Sequence, residues 1–293
     1  MQTKIMTIFT RTPLHVGAGS SVGAIDQPII RERHTRFPII PGSAIKGVLS
    51  DLWNDERIQA IDKDGNPKTD KDDNPVMIRT GKGLELFGSD DNDKVSAGHL
   101  LIGEARIMAF PVRSAKGSFA WLTCPLALHR FERDANIQLN VTQIDGLNET
   151  QCIAAQDVIL DGCVILEEYC FQSLKKDISV IADGLEKYGD DPVWKEVATR
   201  LVVVNDEMFS YFVENACEVV TRTRINDATG TVYDKALFNQ EQAPSETMFY
   251  AVFGETNNNC FTALEDKLSA SDNIIQLGGD GSIGLGYCTV KFY

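Results

Sequence analysis

Residues 14–47 read LHVGAGSSVGAIDQPIIRERHTRFPIIPGSAIKG. The five glycines and three prolines of this stretch predict that most of it is an irregular loop between a first strand and a first helix. The loop contains one aspartate, Asp26, in an apolar frame, and a cationic run over residues 31–36. A long loop punctuated in this way is more often a site than a spacer. We therefore expect the function of the chain to depend on it.

The stretch ends where a helix is predicted to begin. Ser43, after Pro41 and Gly42, is expected to cap the free backbone N–H groups of a helix over residues 44–53, whose apolar residues recur at helical spacing. Lys46 falls in the first turn, off the apolar stripe, and the positive end of a helix favours an anion. A solvated helix lysine would show the same pattern, and without the preceding loop that interpretation is favoured.

Two familiar phosphate-binding motifs are excluded by their spacing. The glycines at positions 17 and 19 resemble the opening of a dinucleotide fingerprint, but the third glycine, at position 23, falls one residue late and no helix is predicted after it. Residues 42–47 lack the Gly-Lys-Ser/Thr triplet of a Walker loop. An unrelated nucleotide-binding enzyme is therefore improbable.

Length and composition are those of a globular protein with one large domain or two, since the chain has 293 residues of which 43% are hydrophobic. No apolar run has the length of a membrane span, and the first ten residues are too short and mixed for a signal peptide. Seven cysteines without a Cys-x-x-Cys pair predict reduced thiols, a cytoplasmic location and no structural zinc. The net charge of −14 argues against a general positive field for nucleic acid, but the acid is concentrated in residues 51–93 and 177–218.

Residues 62–75 contain a short tandem repeat, Asp-Lys-Asp-Gly-Asn-Pro followed by Asp-Lys-Asp-Asp-Asn-Pro. A calcium loop would need glycine at its sixth position and a closing glutamate, whereas here the glycine is fourth and no glutamate follows. We therefore interpret residues 54–96 as a polar surface insertion.

The remaining chain mixes predicted strands and helices, which indicates an α+β fold. Asn205 and Asp206 form a possible cap for a helix over residues 206–216. Residues 218–225 are predicted to be a strand of a hairpin that turns at residues 226–230. Arg222 and Arg224 share one face of that strand about 6.6 Å apart, close to the spacing of successive phosphates. An ordinary polar edge strand is an equally good interpretation.

The loop 278–286, GGDGSIGLG, lies between the last two predicted strands and has five glycines, too many for a simple hairpin turn. Glycine lets a ligand or a packed neighbour approach the bare backbone closely, which suits phosphate. A merely flexible loop would have the same composition, so this loop alone does not separate flexibility from close approach of a phosphate or a packed neighbour. The glycines concerned are Gly278, Gly279, Gly281, Gly284 and Gly286.

The order and spacing of several stretches resemble the RAMP superfamily of CRISPR proteins, and within it the repeating backbone subunits of type III-B (Cmr) effector complexes. The stretches that carry the resemblance are residues 13–19 (PLHVGAG), 25–32 (IDQPIIRE), 38–47 (PIIPGSAIKG), 97–100 (AGHL), 110–117 (FPVRSAKG), 237–250 and 278–286. The resemblance runs nearly from end to end, with the 62–75 repeat and the high acidity as departures from the family.

The resemblance implies one RAMP domain over residues 1–293, with a modified ferredoxin-like (RRM-like) palm, helical insertions and a thumb hairpin within residues 205–245. It implies a subunit that stacks with copies of itself as a helical filament, joins other Cmr subunits, binds CRISPR RNA and cleaves paired target RNA at regular intervals. Asp26 stands where the family has its cleavage residue. The RNA-binding residues implied are Ser43, Lys46, Arg31, Arg222, Arg224 and the five glycines of loop 278–286, with His15 as a possible accessory residue.

RNA carries its own nucleophile, the 2′-OH, so a cleaving protein has to hold the backbone, withdraw a proton and stabilise charge. Asp26 could act as a base or help to hold Mg²⁺ or Mn²⁺. A single carboxylate supplies too few ligands to hold a divalent cation by itself. We therefore expect a cation shared with RNA phosphates rather than one bound by protein ligands alone. Without the resemblance, Asp26 would be read as a turn residue before Gln27 and Pro28, and His15 as a packed or hydrogen-bonded histidine. A non-catalytic RNA-binding filament subunit and the equivalent type III-A subunit are the alternatives.

Overall fold

The computed structural model describes residues 2–19, 24–91, 94–223, 225, 228–232, 237–257 and 259–293. Arg224 and part of the predicted turn at 226–230 lie outside these ranges. No helix in the described part of the chain is long and apolar enough to cross a membrane.

Strands and helices alternate irregularly along the chain, as expected for an α+β fold. The strands are β1 (Gln2–Thr10), β2 (Ile39–Ile40), β3 (Ile58–Gln59), β4 (Met77–Ile78), β5 (Leu100–Ser114), β6 (Ser118–Thr123), β7 (Gln151–Ala154), β8 (Cys163–Leu166), β9 (Tyr169–Ser173), β10 (Leu201–Val203), β11 (Glu218–Arg222), β12 (Phe238–Gln242), β13 (Met248–Glu255), β14 (Ile274–Gln276) and β15 (Tyr287–Phe292). The α-helices are α1 (Gly42–Asp51), α2 (Gly81–Phe87), α3 (Pro125–Ala135), α4 (Ser179–Glu186), α5 (Val197–Arg200), α6 (Asp206–Asn215) and α7 (Cys260–Ser269).

One large mixed sheet organises the structure. Within the described ranges it contains eleven strands, in the order β14-β15-β1-β13-β5-β6-β10-β7-β9-β8, with β2 paired to β5. β1 is antiparallel to both of its neighbours, β13 and β15, whereas β10 is parallel to β6. The predicted α+β class is confirmed.

The sheet has a hydrophobic core on each face, because successive side chains of a strand point to opposite sides. Met6 and Ile8 of β1 belong to the core that also contains the apolar residues of α1, α6 and α7. Ile5 and Phe9 of the same strand belong to the second core, with the apolar residues of α3 and α4. β1 is therefore covered on both faces, and the loop that follows it emerges at the end of a rigid element.

The predicted cap at Ser43 is wrong. Helix α1 begins at Gly42 with Pro41 at its N-cap and no side-chain capping bond, and the N–H groups of Ala44 and Ile45 bond to the carbonyl of Pro41. The reason is tertiary packing: a Cβ at Gly42 would lie 2.6 Å from the carbonyl oxygen of Ile102. The first turn therefore packs against β5, and Ser43 is an exposed residue inside the helix. The cap predicted for α6 is confirmed, since the side chain of Asn205 accepts a hydrogen bond from the N–H of Met208 at 3.0 Å.

The described residues of the 54–96 stretch lie between α1 and β5 in the chain and carry the two-stranded ribbon β3–β4, which is separate from the large sheet. Each half of the tandem repeat folds into the same turn. The carboxylate of Asp62 accepts hydrogen bonds from the N–H groups of residues 64 and 66, and that of Asp70 from those of residues 72 and 74. These backbone hydrogen bonds lower the pKa of both aspartates. The carboxylates of Asp62 and Asp70 are thus engaged within their own turns.

β11 and β12 form a separate antiparallel pair, with Glu218 opposite Gln242 and Arg222 opposite Phe238. The hairpin predicted after residue 218 is therefore confirmed in its described part. Because β12 continues through Ala243 towards β13, the base of this hairpin lies beside the loop that follows β1.

Candidate functional site

Strand β12 lies beside two loops that are far apart in the sequence. Leu14 pairs with Ala243 just after the strand, and Gln27 pairs in parallel with Gln240. The N–H of Gln27 donates to the carbonyl of Asn239 at 3.0 Å. The glycine-rich loop 278–286 contacts the same region through residues 13 and 15. The structure therefore brings together the two loops that the sequence analysis singled out.

Asp26 is exposed, and its carboxylate is oriented by the backbone of β12. Its Oδ2 atom accepts a hydrogen bond from the N–H of Asn239 at 2.8 Å. Its other oxygen, Oδ1, makes no hydrogen bond with any residue that the structure describes. Asp26 thus presents an oxygen to solvent from a side chain whose direction is set by the strand, an arrangement that could accept a proton.

His15 is buried, with only 8% of its surface exposed, and lies between β12 and the glycine-rich loop. Its Nδ1 atom is 2.7 Å from the carbonyl oxygen of Glu241. A carbonyl only accepts, so Nδ1 carries a proton and donates it to this oxygen. Nε2 lies beside Gly17, where a Cβ would be 3.0 Å away. His15 is thus a packed, hydrogen-bonded residue, and its accessory role stays a prediction.

The glycines of loop 278–286 serve different purposes. A Cβ at Gly278 would lie 2.2 Å from the carbonyl oxygen of His15, and one at Gly286 would lie 1.9 Å from that of Leu277, while both have positive φ. These two positions require glycine because a backbone neighbour packs against them. Gly284 also has positive φ but opens onto space, with nothing within 4 Å of a Cβ. The loop is therefore packed at its ends and open at Gly284.

Arg31 is not a surface cation. Its guanidinium pairs with the carboxylate of Glu241 at 2.6 Å, and each side chain is only 4% exposed. It also donates to the carbonyls of Val213 and Arg36 at 2.8 and 3.0 Å. The other oxygen of Glu241 accepts the N–H of Ile29 at 2.9 Å. The pair thus ties the loop that carries Asp26 to β12, and a phosphate contact for Arg31, which stays a prediction, would require this pair to open.

The other predicted RNA-binding side chains lie on two separate elements: Ser43 and Lys46 are on α1, and Arg222 is on β11. Lys46 and Ser43 are exposed on α1, and no hydrogen bond among the described residues joins them to the loop of Asp26. Arg222 lies at the end of β11, next to Thr221, whose hydroxyl bonds to the side chain of Asn239 at 2.8 Å. Its Nε atom is buried and has no hydrogen-bond partner among the described residues. Arg222 is therefore near the site, because Thr221 beside it bonds to Asn239, which also holds Asp26.

The polar residues of β12 were not among the site residues predicted from the sequence. The strand reads FNQEQ, and Gln240, Glu241 and Gln242 are all at most 3% exposed. Three successive polar residues give no strand periodicity, so the pattern did not indicate a buried element. The one available signal was this run of amides and carboxylate directly before the apolar strand β13.

The residues around Asp26 do not fit a metal cage. The described residues contain no group of three histidine, cysteine, aspartate or glutamate side chains that could hold a metal ion. Asp26 itself offers one oxygen, because Oδ2 is engaged with Asn239. Hard divalent cations prefer several oxygen ligands. We therefore assign no catalytic step to a protein-bound cation.

Comparisons with known proteins agree with this architecture. A relative named CRISPR system Cmr endoribonuclease Cmr4, from Pyrococcus furiosus, is 33% identical over 301 residues, which cover 99% of this chain and 95% of the relative. The crystal structure of oligomeric Cmr4 from Pyrococcus furiosus matches with a TM-score of 0.71 and 29% identity, covering 100% of this chain and 98% of that chain.

The cryo-EM structure of the type III-B Cmr-beta complex bound to cognate target RNA contains a chain that matches with a TM-score of 0.75. At 18% identity this match, which covers 100% of this chain and 97% of that chain, shows the fold alone. The family model of the RAMP superfamily matches residues 7–289. Since that range includes both loops and the strand that joins them, the chain belongs to the RAMP superfamily.

Proposed function

We propose that this chain is a repeating backbone subunit of a type III-B CRISPR effector complex, which binds CRISPR RNA and cleaves complementary target RNA at regular intervals. Its partners are then CRISPR RNA, target RNA, copies of itself and other Cmr subunits. Support comes from a relative named as a Cmr endoribonuclease that aligns over 99% of this chain and from the structural match to oligomeric Cmr4. The role that follows is antiviral defence in the cytoplasm.

The observation that carries cleavage is the exposed carboxylate of Asp26, held through one oxygen by the N–H of Asn239. In the proposed reaction Oδ1 takes the proton from an RNA 2′-OH. The freed oxygen attacks the adjacent phosphate, a bond from O2′ to phosphorus forms, and the bond to the 5′-oxygen of the next nucleotide breaks. That oxygen leaves with a proton from solvent. Base pairing to the guide would hold the target beside Asp26, and the subunit would have to bring the 2′-oxygen, the phosphorus and the leaving oxygen into line there.

For the fold, we propose that β1, α1, β5, β13, α7 and β15 form a ferredoxin-like palm. These elements follow the chain order strand, helix, strand, strand, helix, strand. Their strands are neighbours in the order β15-β1-β13-β5, and the apolar residues of both helices join the same core. The pair β11–β12 is then the thumb hairpin of residues 205–245, and residues 54–96 are a surface insertion in a single domain over 1–293.

The Mg²⁺ or Mn²⁺ requirement expected from the resemblance is proposed as a property of the RNA-bound complex, since RNA phosphates would have to supply most of the ligands. Cleavage by the wild-type complex should stop in excess EDTA and return when either ion is added. Undiminished cleavage in EDTA would overturn this part of the proposal.

The test of the function compares Asp26→Ala and Asp26→Asn in the reconstituted complex. Both variants should assemble and bind target with nearly normal affinity, because an exposed loop carboxylate contributes little to the fold. Cleavage should fall by roughly two to four orders of magnitude when a general base is lost. Asp26→Asn separates chemistry from position, since its amide oxygen can still accept the N–H of Asn239.

Cleavage at the wild-type rate by both variants would refute the catalytic role of Asp26. A wild-type complex that binds target but never cuts it would favour the non-catalytic filament subunit. Co-purification with type III-A rather than Cmr subunits would assign the chain to the other complex.

A further inference from the structure

We propose that Gln240 is a positioning residue that holds the loop carrying Asp26 and the glycine-rich loop 278–286 in one fixed relation. The inference rests on the proposed cleavage at Asp26 and adds a residue to that site. Gln240 would touch neither the reacting atoms nor RNA, and it would act through the two loops that it joins.

The amide of Gln240 uses its hydrogen-bonding capacity to join three segments. Its Nε2 atom donates to the carboxylate of Asp280 at 2.6 Å and lies 3.2 Å from the side-chain oxygen of Gln27. Its Oε1 atom accepts from the amide of Gln242 at 3.1 Å. An amide nitrogen has two hydrogens, so both donations are possible at once. A carboxylate only accepts, which fixes the orientation of the amide with its nitrogen towards Asp280.

The burial of Gln240 makes this link rigid. The residue is 2% exposed, so water has little access to replace a lost hydrogen-bond partner. Each broken hydrogen bond would therefore leave a buried polar group without a partner, which costs free energy. Its partner Gln242 is equally buried. Asp280, in contrast, is an exposed residue with φ of +62° at the start of the 3₁₀ turn Gly281–Ile283. The link therefore anchors the exposed centre of the glycine-rich loop to a buried strand.

The same strand positions the cleavage residue. Asn239, the residue before Gln240, holds the carboxylate of Asp26 through its N–H, and Gln27 follows Asp26 directly in the chain. A continuous path thus runs from Asp26 through Gln27 and Gln240 to Asp280. RNA held by the glycine-rich loop would have its phosphate placed relative to Asp26 by this path. A displacement of about 1 Å at a reacting centre can cost roughly 100-fold in rate.

The link can be broken and rebuilt with two isosteric substitutions. Gln240→Glu places a carboxylate against the carboxylate of Asp280, where the structure has a donor. Asp280→Asn alone keeps an acceptor for Gln240, because an amide oxygen accepts as a carboxylate does, and it is the single variant with which the double variant is compared. In the double variant the amide introduced at position 280 donates to the carboxylate introduced at position 240, so the link returns with reversed polarity.

We expect Gln240→Glu to lower the single-turnover cleavage rate at saturating target by about 10- to 100-fold. Target affinity should change by less than about threefold, and the double variant should recover most of the rate. Amide hydrogen exchange in residues 278–286 should be faster in Gln240→Glu and slow again in the double variant. Gln59→Glu, a glutamine on the separate ribbon β3–β4 whose amide donates to the carbonyl of Lys68 at 3.1 Å, is the matched control and should cut normally.

Gln240→Met, which keeps the size of the side chain without its donors, serves if Gln240→Glu does not fold, and Asp280→Asn should not rescue it. Wild-type cleavage by the Gln240 variants, or a double variant as slow as Gln240→Glu, would overturn the inference. Asp26→Ala in the same assay separates the two proposals. An inactive Asp26→Ala beside fully active Gln240 variants refutes only the positioning role, whereas a fully active Asp26→Ala refutes the proposed cleavage by Asp26 on which the inference rests.

Discussion

Replacing Arg31 by alanine removes one half of an ion pair that the structure buries between the loop of Asp26 and β12. The guanidinium and the carboxylate of Glu241 are 2.6 Å apart, and each side chain is 4% exposed. In the variant, the one hydrogen bond left to the Glu241 carboxylate among the described residues would be that from the N–H of Ile29. The carbonyl of Val213 would also lose a donor. The substitution therefore leaves the carboxylate of Glu241 buried without its cationic partner.

The expected loss of stability follows from that burial. Breaking a buried pair by removing one partner costs about 3–5 kcal/mol, because the remaining charge is uncompensated. The shift in Tm per kcal/mol shrinks with chain length, to about 2 °C for the largest single domains, so Arg31→Ala should melt about 6–10 °C below the wild type. Arg36→Ala is the matched control from the same loop: its pair with Glu214 is 52% and 42% exposed and should contribute about 0–1 kcal/mol.

Thermal unfolding of the wild type, Arg31→Ala and Arg36→Ala at one protein concentration and pH measures the difference in Tm. A double variant, Arg31→Met with Glu241→Gln, should recover more than half of the loss, since no charge is then left unpaired and the introduced amide can still accept the N–H of Ile29. A Tm for Arg31→Ala within about 2 °C of that for Arg36→Ala would refute the reasoning. If such a stable Arg31→Ala variant had also lost RNA binding, Arg31 would contact phosphate, as the resemblance implied.

Two further predictions concern RNA and pH. Lys46→Ala and Arg222→Ala should each weaken RNA binding regardless of sequence and reduce the slope of log affinity against log salt by about one, with Lys63→Ala in the surface insertion as the control. Unchanged slopes would contradict this. Burial, with Asp191 nearby, raises the pKa of Glu246 from 4.5 to about 7, so the folded protein keeps a proton that the unfolded chain releases. Stability should therefore fall as pH rises from 4.5 to 7, and Glu246→Gln should gain in Tm relative to the wild type across that window. A constant difference in Tm would argue against it.

Some features of the protein depend only on residues that are close together in the sequence, and these features could be predicted from the sequence. The strand before residue 11, the loop with Asp26 and the glycine-rich loop between two strands each follow from composition and spacing over about ten residues. The cap at Asn205 is of the same kind, because its acceptor and its donor are three residues apart. The cap at Ser43 failed because it depended on a distant contact, the packing of Gly42 against β5.

The sequence by itself determined that a glycine-rich, partly cationic loop with one aspartate follows the first strand, and that a second glycine-rich loop precedes the last. Only the tertiary structure decided what these residues touch. Arg31 and Arg36 belong to one cationic run, yet one is buried against Glu241, which is 210 positions away, and the other is exposed. Asp26 is likewise oriented by Asn239, which is 213 positions away. The physical reason is that burial and hydrogen-bond partners are set by which strands are neighbours in the sheet, and that pairing is a property of the whole chain.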